Sequence, residues 1–218
     1  MKKAILNITA LIVLGLIMQT GGAYLVNVAV ECFAGSEAVT EYASFMGSVT
    51  QMEPRQYIHV LFVSPILEEI VFRLIFLRAG RMVMPFWAAN LVQAVLFGFY
   101  HTFTIQRVYG FIMGLIIGCV FGYCPAIYRK VHEATPATGF LDLPDCLIGA
   151  GITIILHMVI NAAGLFLTPL FPADIPVPSQ MMIGILLMAV AAVVCIILKY
   201  ETQGRFLRCS YNDSEVNQ

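Results

Sequence analysis

Charged residues are scarce in this chain. Of its 218 residues only 11% are charged, whereas 60% are hydrophobic and the mean hydropathy is +0.86. Several apolar runs approach or exceed the roughly 20 residues that an α-helix needs to cross a bilayer. This composition indicates a polytopic membrane protein. The formal net charge of −1 and the lack of a basic patch with interleaved aromatic residues argue against a nucleic-acid partner.

Several catalytic and metal-binding patterns are also missing. The six cysteines are scattered, without CxxC pairs or zinc-finger spacing, and we interpret them as small membrane-buried side chains. No HExxH pattern is present. Ser64 has no GxSxG context, which argues against a serine nucleophile. Catalytic chemistry must therefore be sought among the few polar residues inside the apolar runs.

The apolar runs predict an all-α bundle of about six transmembrane helices, in a single membrane domain covering residues 1–218. The first run begins after Lys2 and Lys3 like a signal peptide, but it stays apolar beyond a normal h-region, which favours a retained span. The motif-bearing core is expected at about 57–168, before a cytoplasmic tail at 199–218. The six spans are expected at about 4–30, 57–77, 85–103, 108–127, 146–167 and 181–198.

A more polar connection, residues 31–56, separates the first two spans. Within it Val39, Tyr42 and Phe45 recur at helical spacing, and Ser36 is suited to cap a helix start. This pattern predicts an interfacial amphipathic helix. We expect it to be a surface connector, with a cap or gate over a site as the alternative.

The positions of the lysines and arginines predict the orientation of the spans. Of the 12 such residues, nine fall on one side of a six-span arrangement, Arg55 and Arg107 on the other, and Arg73 within the membrane. Cytoplasmic loops carry the excess of Lys and Arg, so both termini are expected in the cytoplasm. The short chain and signal-like start favour a bacterial plasma membrane.

The second span carries three charges within six residues, each worth about 2.5–3.5 kcal/mol against insertion at mid-helix. Arg73 lies four residues after Glu69, so the two can pair on one helical face. Glu68 points about 100° away and has no partner nearby in the sequence. An unpaired carboxylate inside a membrane indicates a functional site.

The third and fifth spans carry polar side chains with matching chemistry. Phe97 and His101 are four residues apart, as are His157 and Asn161, so each pair should share a helical face. A carboxylate with imidazoles and an amide is a set of groups that activates water and stabilises an oxyanion. For the polar residues of any one span, hydrogen bonding between helices is the simpler interpretation. Such residues on three separate spans favour catalysis.

Two other patterns on spans three and four are interpreted as structural. Glycine recurs at every fourth position from 110 to 122, which lets a neighbouring helix approach closely. Asn90 and Gln93 are expected to hydrogen-bond between helices. One problem concerns depth, because counting from the predicted ends separates Glu68 and His101 by roughly 9 Å along the membrane normal. Tilt, a kink at the start of span three, or a later end to span two must bring them level.

The polar pieces form three short motifs: Glu68-Glu69-x-x-x-Arg73, Phe97-x-x-x-His101 and His157-x-x-x-Asn161. In this order, on separate spans, they resemble the motifs of the CAAX-protease and bacteriocin-processing (CPBP, or Abi) family of intramembrane proteases. The resemblance covers residues 68–161, and no motif position departs from the family pattern. It implies an endopeptidase that acts on a membrane-associated protein or peptide, in bacterial peptide processing or a bacteriocin-related role.

The resemblance also implies roles for the motif residues. Glu68, as general base, and His101 would polarise a water molecule for attack on a peptide carbonyl. His157 and Asn161 would line the oxyanion hole. Three further residues would support them. Arg73 would pair with Glu69 and hold it in place, and Phe97 would pack beside His101.

Three alternatives stay open. The family resemblance favours a metal-free glutamate protease, but Glu68, His101 and His157 could instead form a carboxylate/two-histidine zinc site. A non-enzymatic immunity or scaffold protein would keep the polar cluster for helix association. A small transporter would use Glu68 for proton coupling. The identity of the substrate and the oligomeric state are not predicted.

Overall fold

The structure, a computed structural model, describes residues 2–49, 52–132, 143–167 and 175–194. These residues are almost entirely helical and include no strand, which confirms the all-α fold class. The predicted tail at 199–218 and most of the predicted loop between spans four and five lie outside the described residues.

The first two helices meet at a single residue. Helix α1, Lys2–Ala34, contains the first apolar run, and helix α2, Ser36–Val49, is the predicted amphipathic helix. Gly35 between them has φ +85°, a left-handed conformation that glycine adopts without steric penalty. The chain therefore leaves the first span and enters α2 in one sharp turn.

The next helix, α3, is continuous from residue 54 to residue 83 but changes its winding. Its α-helical parts are Pro54–Ile58, Ser64–Glu69 and Arg78–Val83, and wider π-helical turns occupy His59–Val63 and Ile70–Leu77. The two carboxylates thus lie on a short α-helical part with a π-helical turn on either side. Such turns are rare and frequently occur at functional sites.

Four further helices complete the described chain: α4, Phe86–Tyr100; α5, Thr104–His132; α6, Leu143–Phe166; and α7, Val177–Val194. Four stretches are long and apolar enough to cross a membrane, namely Val13–Ala34, Thr104–Gly122, Cys146–Phe166 and Val177–Val194. With the continuous α3 and the shorter apolar α4, this arrangement is consistent with about six spans.

The main hydrophobic core joins α1, α5 and α6, with Ala191 added from α7. Leu14 and Met18 from α1 pack there with Met113 and Ile117 from α5 and with Leu156 from α6. Many large apolar side chains elsewhere point outward, as expected for helices that face lipid. The first span is therefore part of the folded bundle.

Helices α4 and α5 pack closely along the glycine stripe. A Cβ atom added to Gly114 would lie 3.1 Å from the Cα of Ala94, and one added to Gly118 would overlap Oδ1 of Asn90. Only glycine allows this approach, because any side chain would push the helices apart. The predicted close helix contact is confirmed.

Polar side chains reinforce this contact. Asn90 Nδ2 donates to the carbonyl oxygen of Leu115 at 2.9 Å, and Gln93 Nε2 donates to the carbonyl oxygen of Gly114 at 2.8 Å. Both side chains are fully buried. Their predicted role in hydrogen bonding between helices is confirmed.

The end of α3 resolves the depth problem. The helix continues to Val83, beyond the end at residue 77 that the sequence predicted. Glu68 lies fifteen residues before Val83, and His101 lies fifteen residues after Phe86, where α4 begins. Since only residues 84 and 85 join the two helices, similar lengths of chain bring both side chains to the same cavity.

Candidate active site

A cavity of about 250 Å³ lies inside the bundle, with residues of α1 to α6 on its walls. Glu68 on α3, His101 beyond the end of α4, and His157 and Asn161 on α6 all line it. The four predicted catalytic residues thus come together from three parts of the chain that are far apart in sequence.

Glu69 and Arg73 form a buried ion pair below the cavity. Arg73 Nε lies 3.2 Å from Glu69 Oε2, and both side chains are fully buried. The Arg73 guanidinium also lies over the ring of Phe97, with Cζ 4.5 Å from the ring centroid. This cation–π contact helps to stabilise a charge that is removed from water. The predicted pairing is confirmed, and Phe97 packs on Arg73 as well as on His101.

His157 bridges the two carboxylates. Its Nδ1 lies 2.9 Å from Glu69 Oε1, and its Nε2 lies 3.6 Å from Glu68 Oε2. Glu69 is paired with Arg73 and can only accept a hydrogen bond, so Nδ1 of His157 is the donor. Nε2 is therefore the nitrogen directed toward Glu68 and the cavity. The hydroxyl of Thr153, one turn earlier on α6, also faces Glu69.

Glu68 has a hydrogen-bond donor in its own helix. Ser64 Oγ donates to Glu68 Oε1 at 2.5 Å, and Ser64 also lines the cavity. The sequence analysis considered Ser64 only as a nucleophile and missed this contact, although the four-residue spacing was available to predict it. With Oε1 bonded to Ser64, Oε2 is the oxygen that faces His157.

His101 lies just beyond α4 and not within it, so the predicted helix through residue 103 was wrong. Its backbone is extended, with ψ 151°, and its carbonyl oxygen accepts a hydrogen bond from Arg107 Nε at 2.9 Å. That carbonyl is thus satisfied by a side chain of α5 and not by a further helical turn. The residues after Tyr100 are mostly polar, His101-Thr102-Phe103-Thr104, but they include no Gly or Pro to mark the end of the helix.

The extended backbone orients the His101 ring. Nδ1 lies 2.8 Å from the carbonyl oxygen of Phe97, to which it donates, and the two rings meet edge to face with centroids 4.9 Å apart. On its other side the ring lies against Gly110, where an added Cβ would be 3.0 Å from Nδ1. Because Nδ1 carries the hydrogen, Nε2 is left as an acceptor. The predicted packing of Phe97 beside His101 is confirmed.

Asn161 is tied to α3. Its Nδ2 donates to the carbonyl oxygen of Val60 at 3.0 Å. Val60 belongs to the first π-helical turn of α3, where backbone carbonyls lack their usual α-helical partners. One of the two Nδ2 hydrogens is used in this way, and the second is available to another acceptor.

Helix α2 covers the cavity. Tyr42, Phe45 and Met46 line it, and the Phe45 ring packs on Phe103 with centroids 4.7 Å apart. Burial raises the pKa of the Tyr42 hydroxyl, and a hydrogen bond with Gln106 acts in the opposite direction. Our expectation of a surface connector was therefore wrong, because tertiary contacts with the residues after α4 hold α2 over the site.

The first helix also contributes to the cavity wall. Gln19 on α1 lines the cavity, and its Oε1 accepts a hydrogen bond from the hydroxyl of Tyr109 on α5. Neither residue was singled out in the sequence, where a glutamine and a tyrosine in apolar runs have no distinctive spacing. The polar wall of the cavity therefore extends beyond the three motifs.

The arrangement of possible metal ligands does not support the zinc hypothesis. Among the residues that the structure describes, no three His, Cys, Asp or Glu side chains are arranged to hold a metal ion. Glu68, His101 and His157 line one cavity, but they do not form such a group. Metal independence stays a prediction, which metal analysis of the purified protein can test.

The fold and the site define a helical membrane protein with a buried carboxylate–histidine cluster that faces an internal cavity. Residues 50–140 match the family of Rce1-like proteins, described as type II CAAX prenyl endopeptidase Rce1-like. This match confirms the family predicted from the motifs and, because the family consists of peptidases, the predicted enzyme class. It includes Glu68 and His101 and ends before His157. Comparison with curated proteins and with solved structures gave no match.

Proposed function

We propose that this protein is an intramembrane endopeptidase that cleaves a membrane-associated protein or peptide by metal-free activation of water. The observation that carries the proposal is that Glu68, His101, His157 and Asn161 line one cavity within a membrane bundle. The family match supports peptide-bond hydrolysis as the reaction.

Glu68 and His101 are suited to activate the water. His101 Nε2 is free to accept, because Nδ1 is bonded to the Phe97 carbonyl. Glu68 Oε1 is held by Ser64, which leaves Oε2 to take the proton as the water oxygen attacks the peptide carbonyl. The water would thus be polarised by two acceptors, one of which becomes protonated.

His157 and Asn161 are suited to stabilise the tetrahedral intermediate. A proton on His157 Nε2 would be stabilised by Glu69, which accepts from Nδ1 on the far side of the ring. That Nε2–H and the second Nδ2–H of Asn161 would donate to the oxyanion. Glu68 would then deliver its proton to the leaving amine, so the intermediate collapses with cleavage of the C–N bond and Glu68 is ionised again.

The location and substrate class extend the same proposal. The excess of cations on one side supports a multi-pass protein with both termini in the cytoplasm. The family name supports CAAX-type protein substrates, and bacterial peptide precursors are the second class that we propose. Both kinds of substrate present a peptide bond close to a membrane surface.

Cleavage assays in vesicles test the proposal. Purified protein would be offered a prenylated CAAX peptide, and also the membrane-associated peptides that accumulate in a deletion strain. Glu68→Gln and His101→Ala should each lower turnover by about 10²–10⁴-fold, the usual contribution of a positioned acid or base. Glu53→Gln is the matched control, because Glu53 is exposed and pairs with Arg55 outside the cavity. Full turnover by Glu68→Gln would overturn the mechanism.

Metal content decides between this mechanism and the zinc alternative. Inductively coupled plasma analysis of active protein should find much less than one zinc per chain, and chelators should leave turnover unchanged. Stoichiometric zinc that is lost together with activity would instead assign Glu68, His101 and His157 as ligands.

A further inference from the structure

A second cavity lies on the outer side of the contact between α4 and α5. Its volume is about 250 Å³. Phe99 and Val95 on its wall are 73% and 37% exposed, so this groove opens to the outside of the bundle, where lipid surrounds the protein. Six residues line it, five of them without a polar side chain: Val95, Gly98, Phe99, Arg107, Val108 and Phe111.

Arg107 is the one lining residue with a charged group, and because the wall is almost entirely apolar, its stem lines the groove and its guanidinium lies at the edge. It is the fourth residue of α5 and lies in the first turn of the candidate span Thr104–Gly122, where the membrane boundary is expected. Its side chain is exposed. An arginine at such a position lays its apolar stem along the protein and places the guanidinium at the level of the lipid headgroups.

The guanidinium of Arg107 is only partly used by the protein. Nε donates to the carbonyl oxygen of His101 at 2.9 Å, and the two Nη groups have no hydrogen-bond partner among the described residues. The planar fork of an arginine binds phosphate oxygens through paired N–H groups. An anion can therefore be bound by Nη atoms while Nε stays on His101.

We propose that this groove binds an anionic phospholipid, with its phosphate on the Nη groups of Arg107 and one acyl chain along the apolar wall. Charge complementarity assigns the headgroup, because a cation beside an apolar groove matches an anion joined to a hydrocarbon chain. The apolar wall assigns a lipid and not a soluble phosphate, since a free anion would gain nothing from Val95, Phe99 or Phe111.

The bound lipid would act on the candidate active site through His101. The same guanidinium that binds the phosphate holds the carbonyl oxygen of His101, so a bound lipid fixes the turn that carries this histidine. This coupling rests on the proposed protease function, whereas the binding site does not. Arg107 is in these terms a positioning residue, because it acts on the reaction only through His101.

Lipid binding is tested by native mass spectrometry of protein purified from vesicles of phosphatidylcholine with 30% phosphatidylglycerol. The wild-type protein should retain phosphatidylglycerol, and Arg107→Gln should retain at least about fivefold less. Arg55→Gln is the matched control, because it removes an exposed cation from the same predicted side that does not line the groove, and it should retain the wild-type amount. Val95→Trp fills the groove without changing charge and should also reduce retention.

Several outcomes would overturn the binding site. Equal retention of phosphatidylglycerol by wild type and Arg107→Gln would show that Arg107 does not bind the headgroup. Retention of phosphatidylcholine as strong as that of phosphatidylglycerol would show that the site does not select for negative charge. Displacement of the lipid by millimolar glycerol phosphate, with Val95→Trp unchanged, would indicate a soluble phosphate site in place of a lipid site.

Turnover in the same vesicles tests the coupling. Phosphatidylglycerol should raise the turnover of the wild type severalfold but not that of Arg107→Lys, because a single ammonium cannot reproduce a fork that contacts both His101 and a phosphate. Equal stimulation of both would contradict the coupling. If no substrate is cleaved by any variant, the protease proposal fails, and lipid retention still decides the binding site.

Discussion

Glu69 and His157 are in direct contact, with Oε1 of the carboxylate 2.9 Å from Nδ1 of the ring, although 88 residues separate them in the sequence. Because Glu69 is also paired with Arg73, it accepts and the imidazole donates. The ring is therefore oriented before any substrate arrives, with Nε2 toward Glu68. The adjacent carboxylates therefore lie at different edges of the ring: Glu69 contacts Nδ1, and Glu68 lies near Nε2 and lines the cavity.

Replacing Glu69 by Gln should destabilise the protein more than replacing Glu68. Glu69→Gln leaves the fully buried Arg73 without its counter-charge, and breaking a buried pair in this way typically costs about 3–5 kcal/mol. Thermal unfolding in detergent measures the effect, with Glu68→Gln as the matched control expected near the wild type. The double variant Glu69→Gln/Arg73→Met, which removes both charges, should recover much of the loss. Equal unfolding temperatures for Glu69→Gln and wild type would contradict the ion-pair assignment.

Ser64 should contribute to turnover through its hydrogen bond to Glu68. Ser64→Ala removes the donor to Oε1 and lets the carboxylate rotate, so we expect kcat to fall about tenfold, in line with a hydrogen bond to a charged group. KM should change little, because the serine contacts the base and not the peptide. Ser64→Thr retains a hydroxyl and should stay within about threefold of the wild type. If Ser64→Ala and Ser64→Thr have the same kcat, the hydroxyl does not contribute to turnover through Glu68.

The close contact of α4 and α5 should make Gly118 intolerant of even a methyl group. In Gly118→Ala the new Cβ would overlap Asn90 Oδ1, which forces the helices apart or breaks the buried hydrogen bonds, and we expect a loss of about 1–3 kcal/mol. Gly151→Ala on α6 is the control, since no atom lies within 4 Å of its added Cβ. That variant should match or slightly exceed the wild type in thermal unfolding, because alanine favours a helix over glycine. A Gly118→Ala protein as stable as the control would show that the helices separate easily.

The half-buried phenol of Tyr42 predicts a loss of stability in alkaline solution. Burial raises its pKa above the ordinary value of 10.0, so the unfolded chain releases this proton first. Above pH 10 the unfolded state binds fewer protons, and the free energy of unfolding falls until the folded state also ionises. Thermal unfolding between pH 9 and pH 11 should therefore decline less in Tyr42→Phe than in the wild type. Parallel curves would mean that the Tyr42 hydroxyl is exposed to water, and hence that α2 does not cover the cavity.

Local spacing predicted the contacts that form within one helix, and little more. The pairing of Glu69 with Arg73 follows from four-residue spacing, which brings side chains together on one helical face. Phe97 also packs beside His101 as predicted, although His101 lies just beyond the end of α4. The Ser64 contact was equally local, but a search for nucleophiles does not find a hydrogen-bond donor. Contacts between helices depend on packing, and hydropathy reports only that a helix is apolar.

Two errors have the same physical origin. No Gly or Pro follows Tyr100 to mark a helix end, and hydropathy cannot show that the His101 carbonyl is bonded to a side chain of α5, Arg107. Likewise, the amphipathic pattern of α2 shows that one face is apolar but not what that face contacts. The contact with Phe103 that holds α2 over the cavity exists only in the folded bundle.

The position of α6 has a consequence for the order in which the protein is made. His157 and Asn161 lie on α6, which packs against α1, α3 and α5, and they are among the last described residues to leave the ribosome. Glu68 and His101 enter the membrane well before them, and domains generally fold from the N-terminus during synthesis. A nascent chain therefore holds an unfinished site until α6 has been inserted and packed. A polypeptide-cleaving enzyme assembled in this order is inactive toward its own nascent chain until α6 is in place.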